Sequence, residues 1–277
     1  MGRTLIIAEK PSVAADIAKV VGASEKGAHA WEGNDHVVSW AVGHLLEFVP
    51  PEGYDEKLKR WRLADLPILP DDFQLTPTRG ASKQLTALKK YLKAKDVDRV
   101  INACDAGREG ELIFRWVVQL AGADRPVRRL WVSSLTDEAI RGAWRGLRQG
   151  AEFDRLGDAA RCRSEADWLV GLNATRAMTL LARKGGGRGP LLSVGRVQTP
   201  TLAMIVNRDL EIEAFVPESF WQVQATFTHG DMSFVATWFR GSAETRDGTD
   251  GPALNTRLQT EEVAQAVADA TDGQVGV

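Results

Sequence analysis

Arg99-Val-Ile-Asn-Ala-Cys-Asp105-Ala-Gly-Arg-Glu-Gly-Glu111-Leu-Ile-Phe114 decides the fold of this chain. Val100 to Ala103 is a short apolar run of the kind that forms a buried strand, and Leu112, Ile113, Trp116, Val117 and Leu120 then recur at helical spacing. Between strand and helix lie three carboxylates, Asp105, Glu109 and Glu111. A strand-to-helix turn at the carboxyl edge of a parallel sheet is where α/β folds place ligands. Like charges crowded there repel unless a cation sits among them, and oxygen donors alone suit Mg²⁺. The same residues also make a solvated turn whose acids favour a helix start. The stretch alone leaves both readings open.

Thr4-Leu-Ile-Ile-Ala8 followed by Glu9-Lys-Pro-Ser12 repeats the arrangement. A compact strand ends in charged residues, and Val13, Ile17, Val20 and Val21 then form a helical face stopped by Gly22. Pro11 and Ser12 are good helix-start residues. If both strands lie in one parallel sheet, Glu9 and Asp105 face a common cleft, although Glu9 and Lys10 taken alone read first as a surface ion pair. His36 to Val42 is a further strand, followed by His44, which reads as structural. Lys57 to Arg62 sets four basic residues around Trp61 and hints at a phosphate-facing patch. Ala81 to Lys95 is a basic amphipathic helix, Arg128 to Ser133 a strand, and Thr136 caps a helix running to about Leu147. Strands alternating with helices through residue 150 predict an α/β domain with a mostly parallel sheet flanked by helices.

Beyond residue 150 the pattern changes. Arg155 to Leu181 is helical throughout. From Trp168 to Arg208 there is no acid, while Arg176, Arg183, Lys184, Arg188, Arg196 and Arg208 all occur. A run of six cations without one acid favours a polyanion partner. Gly185 to Gly189 reads as a flexible linker, and Ser193-Val-Gly-Arg-Val-Gln-Thr-Pro200 as the start of another helix, where backbone amides can hold phosphates. Trp221 to Phe227 and Ser233 to Phe239 alternate as antiparallel strands joined at Gly230, and Thr260 to Ala270 is a short helix. Gly273 to Val277 reads as the opening of a strand cut short.

Composition sets the bounds. The 277 residues allow one large domain or two smaller ones, and the net charge of −2 requires any basic surface to be local. Cys104 and Cys162 are the two cysteines, with no CxxC pair, which fits a reducing, cytoplasmic setting and leaves no zinc ribbon. There is no signal peptide pattern, no apolar run of membrane-spanning length and no GxxxxGK[ST] loop, so neither a membrane nor ATP is expected.

With these residues in place, the chain resembles the type IA DNA topoisomerases, closest to their bacterial topoisomerase III branch. Four stretches carry the likeness in the family's order: Leu5 to Ser12, Asp105 to Glu111, Arg163 to Gly171 and Ser193 to Thr199. The resemblance implies a Toprim domain over 1–150, a helical segment that grips single-stranded DNA over 151–213, and the start of a β-rich hinge domain over 214–277. It implies a magnesium site from Glu9, Asp105 and Glu109 with Glu111 nearby, and a catalytic Glu9 and Lys10, the lysine assisting at the scissile phosphate. DNA contacts are implied for Arg163, Asp167, Ser193, Val194, Gly195, Arg196, Val197 and Gln198, with Arg176 and Trp61 as further candidates. The family's Asp-x-Asp pair is Asp105-Ala-Gly107 here, so the second aspartate is missing. The nucleophilic tyrosine of the family is also missing, because neither Tyr54 nor Tyr91 lies in its Tyr-Pro-Arg-Thr setting. The expectation is therefore an N-terminal, monomeric fragment that binds Mg²⁺ and single strands without cleaving them. A non-catalytic Toprim module, a primase or a metal-dependent nuclease are the alternatives.

Overall fold

The computed structural model describes residues 2–183, 189–240 and 255–275. The expected linker over 185–189, apart from Gly189, lies outside them, as do Lys184, Arg188 and the last two residues of the expected final strand. The described chain divides into two compact units, Met1–Ala203 and Met204–Val277.

The first unit is built on a seven-stranded sheet. Strand β1 (Arg3–Ala8) leads into α1 (Pro11–Val21), followed by β2 (Glu25–Lys26), β3 (Ala30–Gly33) and β4 (His36–Trp40). A small hairpin of β5 (Leu46–Phe48) and β6 (Leu75–Pro77) encloses a loop with the short α2 (Pro51–Tyr54). Then come α3 (Ser82–Lys93), β7 (Val97–Ala103), α4 (Arg108–Ala121), β8 (Val127–Arg129), α5 (Asp137–Arg145), β9 (Arg148–Gln149) and the long α6 (Asp154–Ala182). The sheet order is β2-β3-β4-β1-β7-β8-β9. Its central strands β4, β1, β7 and β8 are parallel, while β2, β3 and β9 add antiparallel margins.

The apolar run Leu5-Ile-Ile-Ala8 is fully buried because helices cover both of its faces. Leu5 and Ile7 point toward the α3 and α4 side with Leu88, Leu92, Val100, Ile113 and Val117. Ile6 and Ala8 point toward α1 and α5 with Ala14, Ile17, Ile101 and Ile140. The alternation along one strand thus feeds two cores. Helix α1 starts on Pro11 and ends at Gly22, whose φ of 81° is the left-handed conformation that closes a helix.

Helix α6 lies against α4, within the unit Met1–Ala203. Helix α7 (Gln198–Glu213) follows, and the second unit holds the hairpin β10 (Gln224–His229) and β11 (Met232–Thr237), turned at Gly230, with α8 (Glu261–Thr271). Trp221 forms an isolated bridge with Leu258 and precedes the hairpin strand rather than starting it. Gly273 to Val275 is not a strand. Leu258 and Ala264 are buried in this unit, whereas Phe215, Val216, Met232 and Val235 remain exposed.

Leu88 is completely buried between sheet and helices. Leu88→Ala is expected to lower the unfolding free energy in urea by about 3 kcal/mol, whereas Val170→Ala on the exposed side of α6 changes it by less than about 0.5 kcal/mol.

Candidate functional site

Parallel pairing of β1 with β7 aligns Ala8 with Ala103, so Glu9 and Asp105 emerge side by side at the carboxyl edge. Lys10 stands between them, with Nζ 3.7 Å from Glu9 Oε1 and 3.9 Å from Asp105 Oδ2. The Glu9 carbonyl accepts from the Gly43 amide at 3.1 Å, and the adjacent His44 brings Nε2 within 3.4 Å of Glu109 Oε2. Glu9, Lys10, Asp105 and Glu109 therefore share one edge, joined by His44, which the sequence alone reads as structural. Among the described residues no three His, Cys, Asp or Glu side chains converge closely enough to hold a metal ion. The donor set has the hard-oxygen chemistry of a Mg²⁺ site, but its carboxylates face an ammonium and an imidazole. The thiol of Cys104, next to Asp105, is buried and pushed far up by that burial, so it is no nucleophile here.

Glu111 requires a correction. Instead of joining the acidic edge it is buried, with Oε1 accepting from Arg115 Nε at 2.9 Å and Oε2 from Asn102 Nδ2 at 3.0 Å. Arg129 Nε lies 3.2 Å from Oε2. All of its charge is spent on these partners. The sequence held a signal for this: residues two apart on a helix point to nearly opposite faces, so Glu109 and Glu111 cannot both face the cleft, and Arg115 follows Glu111 at i+4.

Arg129 is the cation at the centre. It is 1% exposed, and its guanidinium donates to the carbonyls of Asn102 (3.0 Å), Cys104 (2.8 Å), Leu130 (2.9 Å) and Asp105 (2.7 Å). Its charged plane also lies over Trp131. Burial pushes the guanidinium down, and Glu111 opposes that shift. One side chain thus ties the end of β7 to the turn bearing Asp105. The turn is tight as well: a Cβ on Gly110 would meet the Asp105 backbone closer than any real contact allows. Gly107 differs, because a Cβ there would meet nothing within 4 Å.

A second cluster joins α6 to the loop before α7. Arg196 Nη1 donates to Asp167 Oδ1 at 2.9 Å, with Arg163 Nε 3.9 Å from Oδ2 of the same carboxylate. Gln198 Nε2 donates to Ser193 Oγ at 2.6 Å, and Gly195 packs against the Gln198 side chain. Thr175 Oγ1 accepts from the Val194 amide (3.0 Å), which fixes the loop on α6, while the Val197 side chain is left exposed. Arg176 is corrected. It is buried, donates to the Leu58 carbonyl at 2.8 Å and lies over the ring of the half-buried Trp61, so it holds the 55–70 loop on α6 rather than presenting itself to a ligand. The acid-free sequence run is not an acid-free surface either. Arg196 takes Asp167, Arg208 takes Glu211 and Arg183 takes the Gly189 carbonyl.

Because Arg129 and Glu111 are both buried, removing one charge strands the other. Glu111→Gln is expected to lower unfolding stability by about 3 kcal/mol in urea with EDTA present. A role confined to metal ligation would leave that chelated midpoint unchanged.

A family model described as Toprim domain matches residues 4–135, and one described as DNA topoisomerase matches residues 151–276. DNA topoisomerase 3 of Bacillus subtilis is 45% identical over 225 residues, covering 81% of this chain and 30% of that protein. DNA topoisomerase 3 of Bacillus licheniformis is 40% identical over 277 residues, covering 100% of this chain and 35% of that protein. The chain therefore spans about a third of the length of these curated relatives. Full-length topoisomerase I from Thermotoga maritima shares the fold, with a TM-score of 0.56 at 22% identity over 95% of this chain and 37% of that one. The sheet with its acidic turn, the loop gripped by α6 and the relatives of both halves agree: the chain belongs to the type IA DNA topoisomerase family and is topoisomerase III-like.

Proposed function

We propose that this chain is the cation-binding and strand-holding portion of an ATP-independent topoisomerase III, which cleaves, passes and rejoins single DNA strands through a 5′-phosphotyrosine. The observation that carries the reading is the meeting of Glu9, Lys10 and Asp105 at adjacent strand ends, in the same unit as the Ser193–Gln198 loop. In this reading Glu9, Asp105 and Glu109 hold a magnesium ion, with Glu111 beneath them as support. When bound, such an ion offsets the negative charge of a phosphodiester brought to these carboxylates. Lys10 then leaves its carboxylate partners for the phosphate, where its ammonium stabilises developing charge or supplies a proton to the leaving oxygen.

Strand holding falls to the second cluster. Asp167 holds the Arg196 guanidinium and lies 3.9 Å from Arg163 Nε, leaving both arginines donors to spare for phosphate. Gln198 and Ser193 offer polar groups to base edges or sugar. The chain itself is read as binding without cleaving. Tyr54 Oη accepts from the Gln74 amide and Tyr91 Oη lies 3.2 Å from Glu32, so both hydroxyls are engaged in packing. A monomer acting in the cytoplasm is part of the same proposal, and no helix among the described residues is long and apolar enough to cross a membrane.

Anisotropy of a labelled single strand, measured across a salt series, tests this reading. Arg196→Ala with Gln198→Ala is expected to weaken binding at least about tenfold and to reduce the salt slope by about one. Unchanged affinity in that variant would overturn the strand-holding assignment.

A further inference from the structure

The basic amphipathic helix seen in the sequence belongs to neither cluster. Helix α3, Ser-Lys-Gln-Leu-Thr-Ala-Leu-Lys-Lys-Tyr-Leu-Lys over Ser82–Lys93, contains four lysines and no acid. Gln84, Leu85, Leu88 and Leu92 are buried against the sheet, and Lys83, Thr86, Lys90 and Lys93 are exposed on the other side. At 100° per residue these exposed positions fall within one arc of about 80°, and from Lys83 to Lys93 they run about 15 Å along the helix. The contrast with the paired arginines of α6 and α7 is sharp. Among the described residues the lysine ion pairs are made by Lys10, Lys19 and Lys57, and none by α3. Two acids of flanking segments, Glu32 and Asp96, are both taken up by Arg3. The row borders an open hollow of about 440 Å³ lined by His29, Ser82, Lys83, Thr86, Ala87 and Lys90.

We infer that this lysine face is a second nucleic-acid contact, separate from the strand-holding cluster, and that its ligand is the phosphate backbone of duplex DNA. Three unneutralised ammonium groups on a rigid helix meet a rod that carries one charge per about 1.7 Å. Single-strand sites add aromatic platforms on which bases stack, and this face has none. Thr86 and Ala87 lie between the lysines, while Tyr91 is half-buried against Glu32. Point charges without stacking groups or planar forks read backbone, not bases. The start of α3 is tied to the backbone at His44, because Thr78 Oγ1 donates to the His44 carbonyl and the Ala81 amide to the Thr78 carbonyl. This inference goes beyond the proposed function and does not rest on it.

The test is anisotropy on a duplex carrying a single-stranded tail and on a single strand of equal length, each across a salt series. The proteins are the full chain, its Lys83→Gln/Lys90→Gln/Lys93→Gln variant and the Arg196→Ala variant. On the tailed duplex the triple variant is expected to lose affinity, with the slope of log K against log salt flattened by about 2.7, at 0.9 per phosphate contact. On the single strand it is expected to bind as the unmodified chain does. An unchanged duplex slope, an equal loss on both DNAs, or no duplex binding by the unmodified chain would overturn the inference. Failure of Arg196→Ala alone to weaken single-strand binding would count against the strand-holding cluster and leave the lysine face standing. All three lysines are exposed, so thermal melts of the triple variant are expected to match those of the unmodified chain.

Discussion

A buried cation pulling four backbone carbonyls together is the constraint on which the candidate site depends. Arg129 reaches from the end of β8 under the turn that follows β7, and its donors fall on Asn102, Cys104, Asp105 and Leu130. A guanidinium cannot shed its proton and cannot be left unpaired in a core, so Glu111 supplies the compensating charge and Asn102 and Arg115 complete its shell. The backbone under Asp105 is therefore held from inside, which leaves the outward carboxylates Asp105 and Glu109 free of any structural duty. A turn that carries like charges gains from such support, since their repulsion would otherwise push it open.

Two levels of ordering can be separated along the carboxyl edge. The strand ends are fixed by sheet register and by the Arg129 network, whereas Lys10 and Glu109 are more than half exposed and contact their partners at 3.4 Å or longer. Exposed pairs of that length are weakly held. The side chains at the edge are thus the part that can rearrange around an incoming cation or phosphate, while the frame beneath stays put. The same division applies at the second cluster. Thr175 pins the loop backbone, and Arg196, Gln198 and Ser193 remain on the surface.

Much of this was legible in the sequence because it rests on local patterns. Two apolar runs ending in charged residues and followed by helical faces predicted strands of a mostly parallel sheet, with Glu9 and Asp105 on one cleft if both strands lie in it, and Lys10 Nζ lies within 4 Å of both carboxylates. What was not legible depends on long-range partners. Arg129 and Glu111 lie 18 positions apart, and nothing local marks Arg129 as fully buried. Arg176 looked like one more cation in a basic run until the 55–70 loop folded over it, and Asp167 lies one residue outside the acid-free window that it neutralises. The short β2–β3 and β5–β6 pairs escaped because strands of two to four residues carry too little alternation to register.

Calorimetric titration of the chain with magnesium chloride tests the central claim most directly, since it asks whether the framed carboxylates act as one cation site without DNA or the rest of an enzyme. The account predicts a single binding event that is abolished by Asp105→Asn or Glu9→Gln and preserved in the exposed Asp158→Asn control. No binding heat from a chain shown to be folded, or binding that survives both substitutions, would contradict it.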